Sequence, residues 1–165
     1  ASIGIGGLIN DLLSSVGMVF VVILGVMWLL MRSARLALIS ALPNLVPLVF
    51  TLAALGLMGA DLQTSNVVSF TVAIGLAVDD TIHFLVRYRQ EVAAGSADPI
   101  GRTFMGAGHA IVLTSLLLIA GFGVLATSDL TTTRHFGILS SATMAAAVLA
   151  DLFLLPAMLH LIKKP

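Results

Sequence analysis

Two adjacent carboxylates, Asp79 and Asp80, with His83 close behind, stand inside an otherwise apolar stretch, Phe70–Tyr88. A charged side chain near the centre of a membrane helix costs about 2.5–3.5 kcal/mol on insertion scales. Two such residues side by side do little for packing, so the pattern points to chemistry. On a helix that advances about 100° per residue, the two aspartates point about 100° apart, and the direction of His83 falls between them. Three titratable groups thus share one sector of one helix. No lysine or arginine of the chain stands at that depth to neutralise them. Such a group of side chains is expected to hold a proton and to release it when hydrated or re-paired. The reading is a proton relay of Asp79, Asp80 and His83. There is no cysteine, which removes disulfides and thiolate metal sites. No metal ligand set, cofactor or catalytic residue is expected.

The elements that must position these groups follow from composition. Of 165 residues, 59% are hydrophobic and 10% are charged, where a soluble domain carries about 25% charged residues. Apolar runs recur at intervals of roughly 25–30 residues, each near the ~20 needed to cross a bilayer. Net charge is zero and no basic block exists, so a nucleic-acid partner has no support. The chain begins with Ala1, and Asp11 stands where a signal peptide would be basic. It reads as a piece of a longer protein.

The predicted fold class is all-α: a polytopic membrane helical bundle of five transmembrane helices. After an interfacial lead-in over 1–15, the spans cover about 16–31, 36–59, 66–88, 103–127 and 134–162. An amphipathic cytoplasmic link at 87–102 joins the third to the fourth, and 163–165 form a tail. In the second span, Pro43 and Pro47 remove the backbone bonds to the carbonyls of Ile39 and Pro43, so a kink is expected there. Asn44 is placed to help a freed carbonyl. Gly95-Ser96 should end the third helix, and Asp98-Pro99 should cap and open a short one. Gly106, Gly108, Gly121 and Gly123, with Ala145–Ala147, are expected to allow close helix contacts.

Seven of the eight basic residues, Arg32, Arg35, Arg87, Arg89, Arg102, Lys163 and Lys164, fall on one side of this scheme, and Arg134 on the other. By the positive-inside rule the N-terminus is outside and the C-terminus cytoplasmic. Depth supplies a further pattern. At 1.5 Å per residue, Asp80 lies ~12 Å from Tyr88 and Asn44 ~12 Å from Leu36. By the same rise, His109 and Thr114 lie ~9 and ~16 Å from Thr103, and Asp151 ~16 Å from Ile162. Asn44, His109, Thr114 and Asp151 therefore form a supporting polar layer around the relay. Asp151 reads either as a second titrating site or as a hydrogen-bonding link to a neighbouring helix.

Three strings carry a resemblance. GLAVDDTIHFLVRYRQE (Gly75–Glu91), LPNLVPL (Leu42–Leu48) and LTSLLLIAGFGVL (Leu113–Leu125), with the closing LPAMLHLI, resemble the resistance-nodulation-division (RND) superfamily, and most closely its MMPL-type branch, which includes a sterol-sensing-like five-helix unit. The resemblance implies the last five helices of a second half, with a first half and large extracytoplasmic domains as partners. It also implies a multi-pass place in the bacterial inner membrane and proton-driven export, with the carboxylates at Asp79 and Asp80 as the relay. Multidrug pumps of the superfamily usually carry a lysine in this helix. The carboxylates and His83 here favour export of a lipid or other hydrophobic molecule over drug efflux. Membrane lipids and further copies of the same chain are the other partners implied. Two other classes remain: a sterol-sensing-like lipid-binding or regulatory module without transport, and an intramembrane aspartyl protease. The protease would need two carboxylates sharing a proton at about 3 Å.

Overall fold

Apolar runs of this length form helices, because within a bilayer a helix satisfies its own backbone. The computed structural model describes residues 5–57 and 64–162, and all of their regular structure is helical. The fold is all-α. Helix α1 is Ile5–Met31, α2 is Ala34–Leu57 and α3 is Thr64–Ala93. Helix α4 runs through Pro99–Thr103, a π-helical turn Phe104–Gly108, and His109–Leu125. Helix α5 likewise runs through Thr131–Leu149, a π-helical turn Ala150–Leu154, and Leu155–Ile162. Among the described residues, three stretches are long and apolar enough to cross a membrane: Ala34–Ala54, Pro99–Leu125 and Thr131–Leu161.

Several boundaries differ from the sequence reading. Most of the expected lead-in is already helical, since α1 begins at Ile5; residues 1–4 lie outside the described residues. Of the turn expected at Ala60–Ser65, only Thr64 and Ser65 are described, and both are helical. Lys163 and Lys164 also fall outside. The short helix opened by Asp98-Pro99 is not separate, because the π turn carries it straight into the fourth helix. Helix α2 stays helical through Pro43 and Pro47. The Asn44 amide donates to the Ser40 carbonyl at 2.7 Å, one residue beyond the carbonyl of Ile39 that Pro43 frees.

The chain divides into two compact units, one ending at Leu38 and one beginning at Ile39. In the first, α1 turns into α2 at Arg32, whose φ of 46° is left-handed. Ser33 then opens α2, its carbonyl accepting from the Ala37 N–H at 3.1 Å.

In the second unit, α5 packs against both α3 and α4. Phe84, Leu85, Ile111, Leu139, Met144 and Leu155 are buried there. The helices come close at Gly137: a Cβ would lie 2.5 Å from the Ala126 nitrogen and 2.7 Å from the Phe122 carbonyl oxygen. Beside it, the rings of Phe122 and Phe136 meet edge to face at 5.8 Å. Gly121 and Gly123, expected at helix contacts, have nothing within 4 Å of an added Cβ.

The end of α3 is capped by backbone and side chains together. Gly95, at φ 69°, lets its N–H reach the Val92 carbonyl and the Ser96 N–H reach the Glu91 carbonyl, both at 3.1 Å. Glu91 accepts from the Ser96 hydroxyl and pairs with Arg87, each at 2.6 Å. The Ser96 bond first, then the Arg87 and Arg102 charges, hold the Glu91 carboxyl below its ordinary range. Asp98 in turn caps α4, accepting from the Gly101 N–H at 3.0 Å, with Pro99 in the first helical turn.

Candidate functional site

One turn of α3 distributes its side chains around the helix at about 100° per residue, and each meets a different surrounding. Asp79 and His83 lie on the outer face, 64% and 69% exposed, with His83 Nε2 3.6 Å from Asp79 Oδ1. Asp80, next in line, is half-buried, and its Oδ2 accepts from the Ser115 hydroxyl of α4 at 3.2 Å. Thr81 is fully buried and faces the other way. Its hydroxyl donates to Asp151 Oδ1 of α5 at 2.6 Å and lies 3.3 Å from Asn44 Oδ1 of α2. Four consecutive helices' worth of polar contact, from α2 to α5, thus converges on the turn that carries the two aspartates.

The local sequence explains this convergence. On α4 the buried positions are Pro99, Thr103, Gly108, Ile111 and Ser115. The step of five from Thr103 to Gly108 is the span of one π-helical turn, which resets the helix phase and brings Ser115 round to Asp80. On α5, Pro156 has no N–H, and the turn before it opens so that the Leu155 N–H donates to the Ala150 carbonyl, five residues back. Asp151, 1% exposed, sits inside that opened turn. Farther along α2, Thr51 meets Thr143 of α5, hydroxyl to hydroxyl, at 2.5 Å.

Asp79, Asp80 and His83 line a groove of about 890 Å³ between α3 and α4, together with Arg87 and Thr114. The structure therefore brings the three relay candidates to one groove, and places Asn44 and Asp151 behind it in the Thr81 contact. Among the described residues neither His109 nor Thr114 bonds to the relay candidates, although Thr114 lines the groove with them. His109 is exposed and bonds to none of these groups, while the Thr114 hydroxyl is turned back on its own helix, to the Ala110 and Ile111 carbonyls at 3.0 and 3.1 Å. Their neighbour Ser115 makes the contact to Asp80 instead. Thr81 and Ser115 are the two members that sequence reasoning did not single out. The buried stripe through Gly108 and Ile111 was the available signal for Ser115, and it is visible only once the π turn is known.

Among the described residues no cluster of His, Asp and Glu is arranged to hold a metal ion. Asp151 accepts from Thr81 and Asp80 from Ser115, and among the described residues no hydrogen bond joins Asp79 or Asp80 to Asp151. What the arrangement offers is carboxylates at two levels of burial, one open to a groove and one enclosed.

Residues 8–164 match the family model described as the MMPL family. The chain is 31% identical over 149 residues to the hopanoid transporter HpnN of Burkholderia multivorans, covering 87% of this chain and 17% of that one. It is 33% identical over 147 residues to the multidrug resistance protein MdtC of Pantoea ananatis, covering 85% and 14%. Against MdtC of Photorhabdus laumondii it is 31% identical over 159 residues, covering 92% and 15%. The chain therefore spans less than a fifth of the length of these relatives.

Proposed function

Because this chain belongs to the MMPL family and is a multi-pass helical membrane protein, we propose that it is the C-terminal transmembrane portion of a proton-driven exporter of lipids or other hydrophobic molecules. The observation that carries the reading is Asp80: a half-buried carboxylate on a groove that accepts from the Ser115 hydroxyl and, among the described residues, has no cation paired to it. Beside it, Asp79 and His83 are open to the groove. In the whole protein that groove meets the helices of the other half, so protonation of Asp80 changes what it pairs with. Moving one charge through the membrane supplies about 2.3 kcal/mol per 100 mV, enough to bias two helix arrangements more than tenfold. In this reading the N-terminus is outside and the C-terminus cytoplasmic, so the Arg87–Arg102 link lies on the cytoplasmic side.

Both a hopanoid transporter and multidrug resistance proteins are similar to this chain. A lipid-like substrate is proposed because carboxylates stand in α3 where drug pumps of the wider superfamily place a lysine. Full-length protein in liposomes carrying an internal pH dye tests the reading. Substrate addition should drive proton movement that Asp80→Asn abolishes. Substrate binding without any proton movement would support a lipid-binding module instead.

A further inference from the structure

The Asn44 amide has one fixed orientation. Its Nδ2 must face the Ser40 carbonyl, an acceptor, which leaves Oδ1 turned to Thr81. Thr81 has a single hydroxyl proton, and Asp151 Oδ1 at 2.6 Å and Asn44 Oδ1 at 3.3 Å both face it. The shorter distance is that of an O–H donated to a charged oxygen, and the longer is stretched beyond an ordinary O–H···O bond. With Asp151 ionised, the proton belongs to Asp151, and the buried Asn44 oxygen is poorly served.

We propose that Thr81 is a hydroxyl switch: when Asp151 takes up one proton, the Thr81 O–H turns from Asp151 to Asn44 and ties α3 to α2. The balance is simple. One O–H bond forms on the Asp151 carboxylate, the proton coming from a hydronium ion that is left as water. That carboxyl group then donates to Thr81 Oγ1, the freed Thr81 O–H donates to Asn44 Oδ1, and the Asn44 amide continues to donate to the Ser40 carbonyl. A directed chain of hydrogen bonds then runs from α5 through α3 to α2, and the Thr81–Asn44 separation shortens. Helix α2 is soft at this point, because Pro43 and Pro47 leave it without two of its ladder bonds on either side of Asn44. One hydrogen bond gained there acts on a segment that can move.

The groups facing Asp151 are few. Asp80 acts on it from α3. Helix α2 brings Asn44, and α4 meets this level of α3 through Ser115; neither is titratable. Asp79 and His83 are turned to the groove. Thr81 is in this account a positioning residue, acting on helix α2 through Asn44. The proposal deepens the exporter reading, and only its transport arm rests on that reading.

Infrared difference spectra of the full-length protein in liposomes, taken between alkaline and acidic buffer, read the carboxyl C=O stretch itself. A band that appears on acidification and is lost in Asp151→Asn identifies Asp151. Its frequency reports the hydrogen bond the carboxyl makes, so Thr81→Val should displace it and Thr81→Ser, which keeps the hydroxyl, should not. Thr81→Ala supplies the same loss should valine reduce accumulation. Gradient-driven export in the same liposomes should fall about tenfold or more in Thr81→Val, the effect of one buried bond to a charged group, and recover in Thr81→Ser. An unchanged Asp151 band in Thr81→Val and Thr81→Ala, or no band lost in Asp151→Asn, would overturn the switch. Failure of the exporter reading shows separately, as a wild-type protein that moves no substrate while its infrared response is intact.

Discussion

At the scale of single residues, the polar side chains of this chain sort by what receives their protons. The Thr51–Thr143 pair joins α2 to α5 in the buried interior. Each hydroxyl also lies 2.7 Å from a carbonyl one turn back on its own helix, Pro47 for Thr51 and Leu139 for Thr143. Three contacts share two protons, so the inter-helix bond competes with local ones. A cycle of Thr51→Val, Thr143→Val and the double variant should therefore show a small coupling. The expectation is about 0.6 kcal/mol, the average for hydrogen bonds between membrane helices, read from unfolding in mixed micelles. A coupling several times larger would mean that the inter-helix bond prevails over the two local ones. The residues legible in the sequence were those with unusual chemistry, Asp79, Asp80, His83, Asn44 and Asp151. Thr81 and Ser115 were not, because a helical hydroxyl satisfies itself on its own backbone by default, as Thr114 does. Only tertiary packing decides which hydroxyl is drawn away.

Among the elements, two local rules can be checked. Gly137 sits where a side chain would meet the α4 backbone, while Gly121 faces open space. Gly137→Ala should destabilise the protein by about 1–3 kcal/mol through overpacking against atoms that cannot step aside. Gly121→Ala should be neutral or should stabilise by up to about 1 kcal/mol, from helix propensity alone. Thermal unfolding of the two variants in one detergent reads the difference. The cap at the end of α3 carries a pH dependence. Since Glu91 has its carboxyl held below the ordinary range by Ser96 and Arg87, its contribution is present above the ordinary glutamate value. It fades as pH falls through the lowered folded one. Amide exchange at Ala94–Ser96, corrected for the intrinsic rate, should be slow at neutral pH and quicken on acidification, and Glu91→Gln should remove that dependence. Helix ends of this kind were readable in advance, since Gly95-Ser96 and Asp98-Pro99 act through local backbone rules. The two π turns were not. Pro156 hints at one of them, but a π turn trades one backbone bond for better packing, and packing partners are not written next to each other in the chain.

For the whole molecule, the five-helix order follows from apolar run length, and the proposed sidedness rests on the basic residues alone. Reporter fusions in the full-length protein should place Ala97 in the cytoplasm and Asp129 outside; the reverse result would reject the orientation. Large apolar side chains are exposed on every helix, among them Val21, Leu38, Leu116 and Phe153. Such surfaces suit lipid or further helices packed against them. The substrate was not legible, because the parts of the relatives that lie outside this chain are much the larger share. The central claim is that the Asp79 and Asp80 carboxylates couple proton movement to export. The Asp79→Asn, Asp80→Asn double variant of the full-length protein tests it most directly, because Asn keeps the shape and cannot take up and release a proton in this range. Export by liposomes across an imposed pH gradient, at matched protein abundance, is the measurement. The account predicts that gradient-dependent export is lost while insertion and accumulation stay normal. Full gradient-dependent export by the double variant would contradict it.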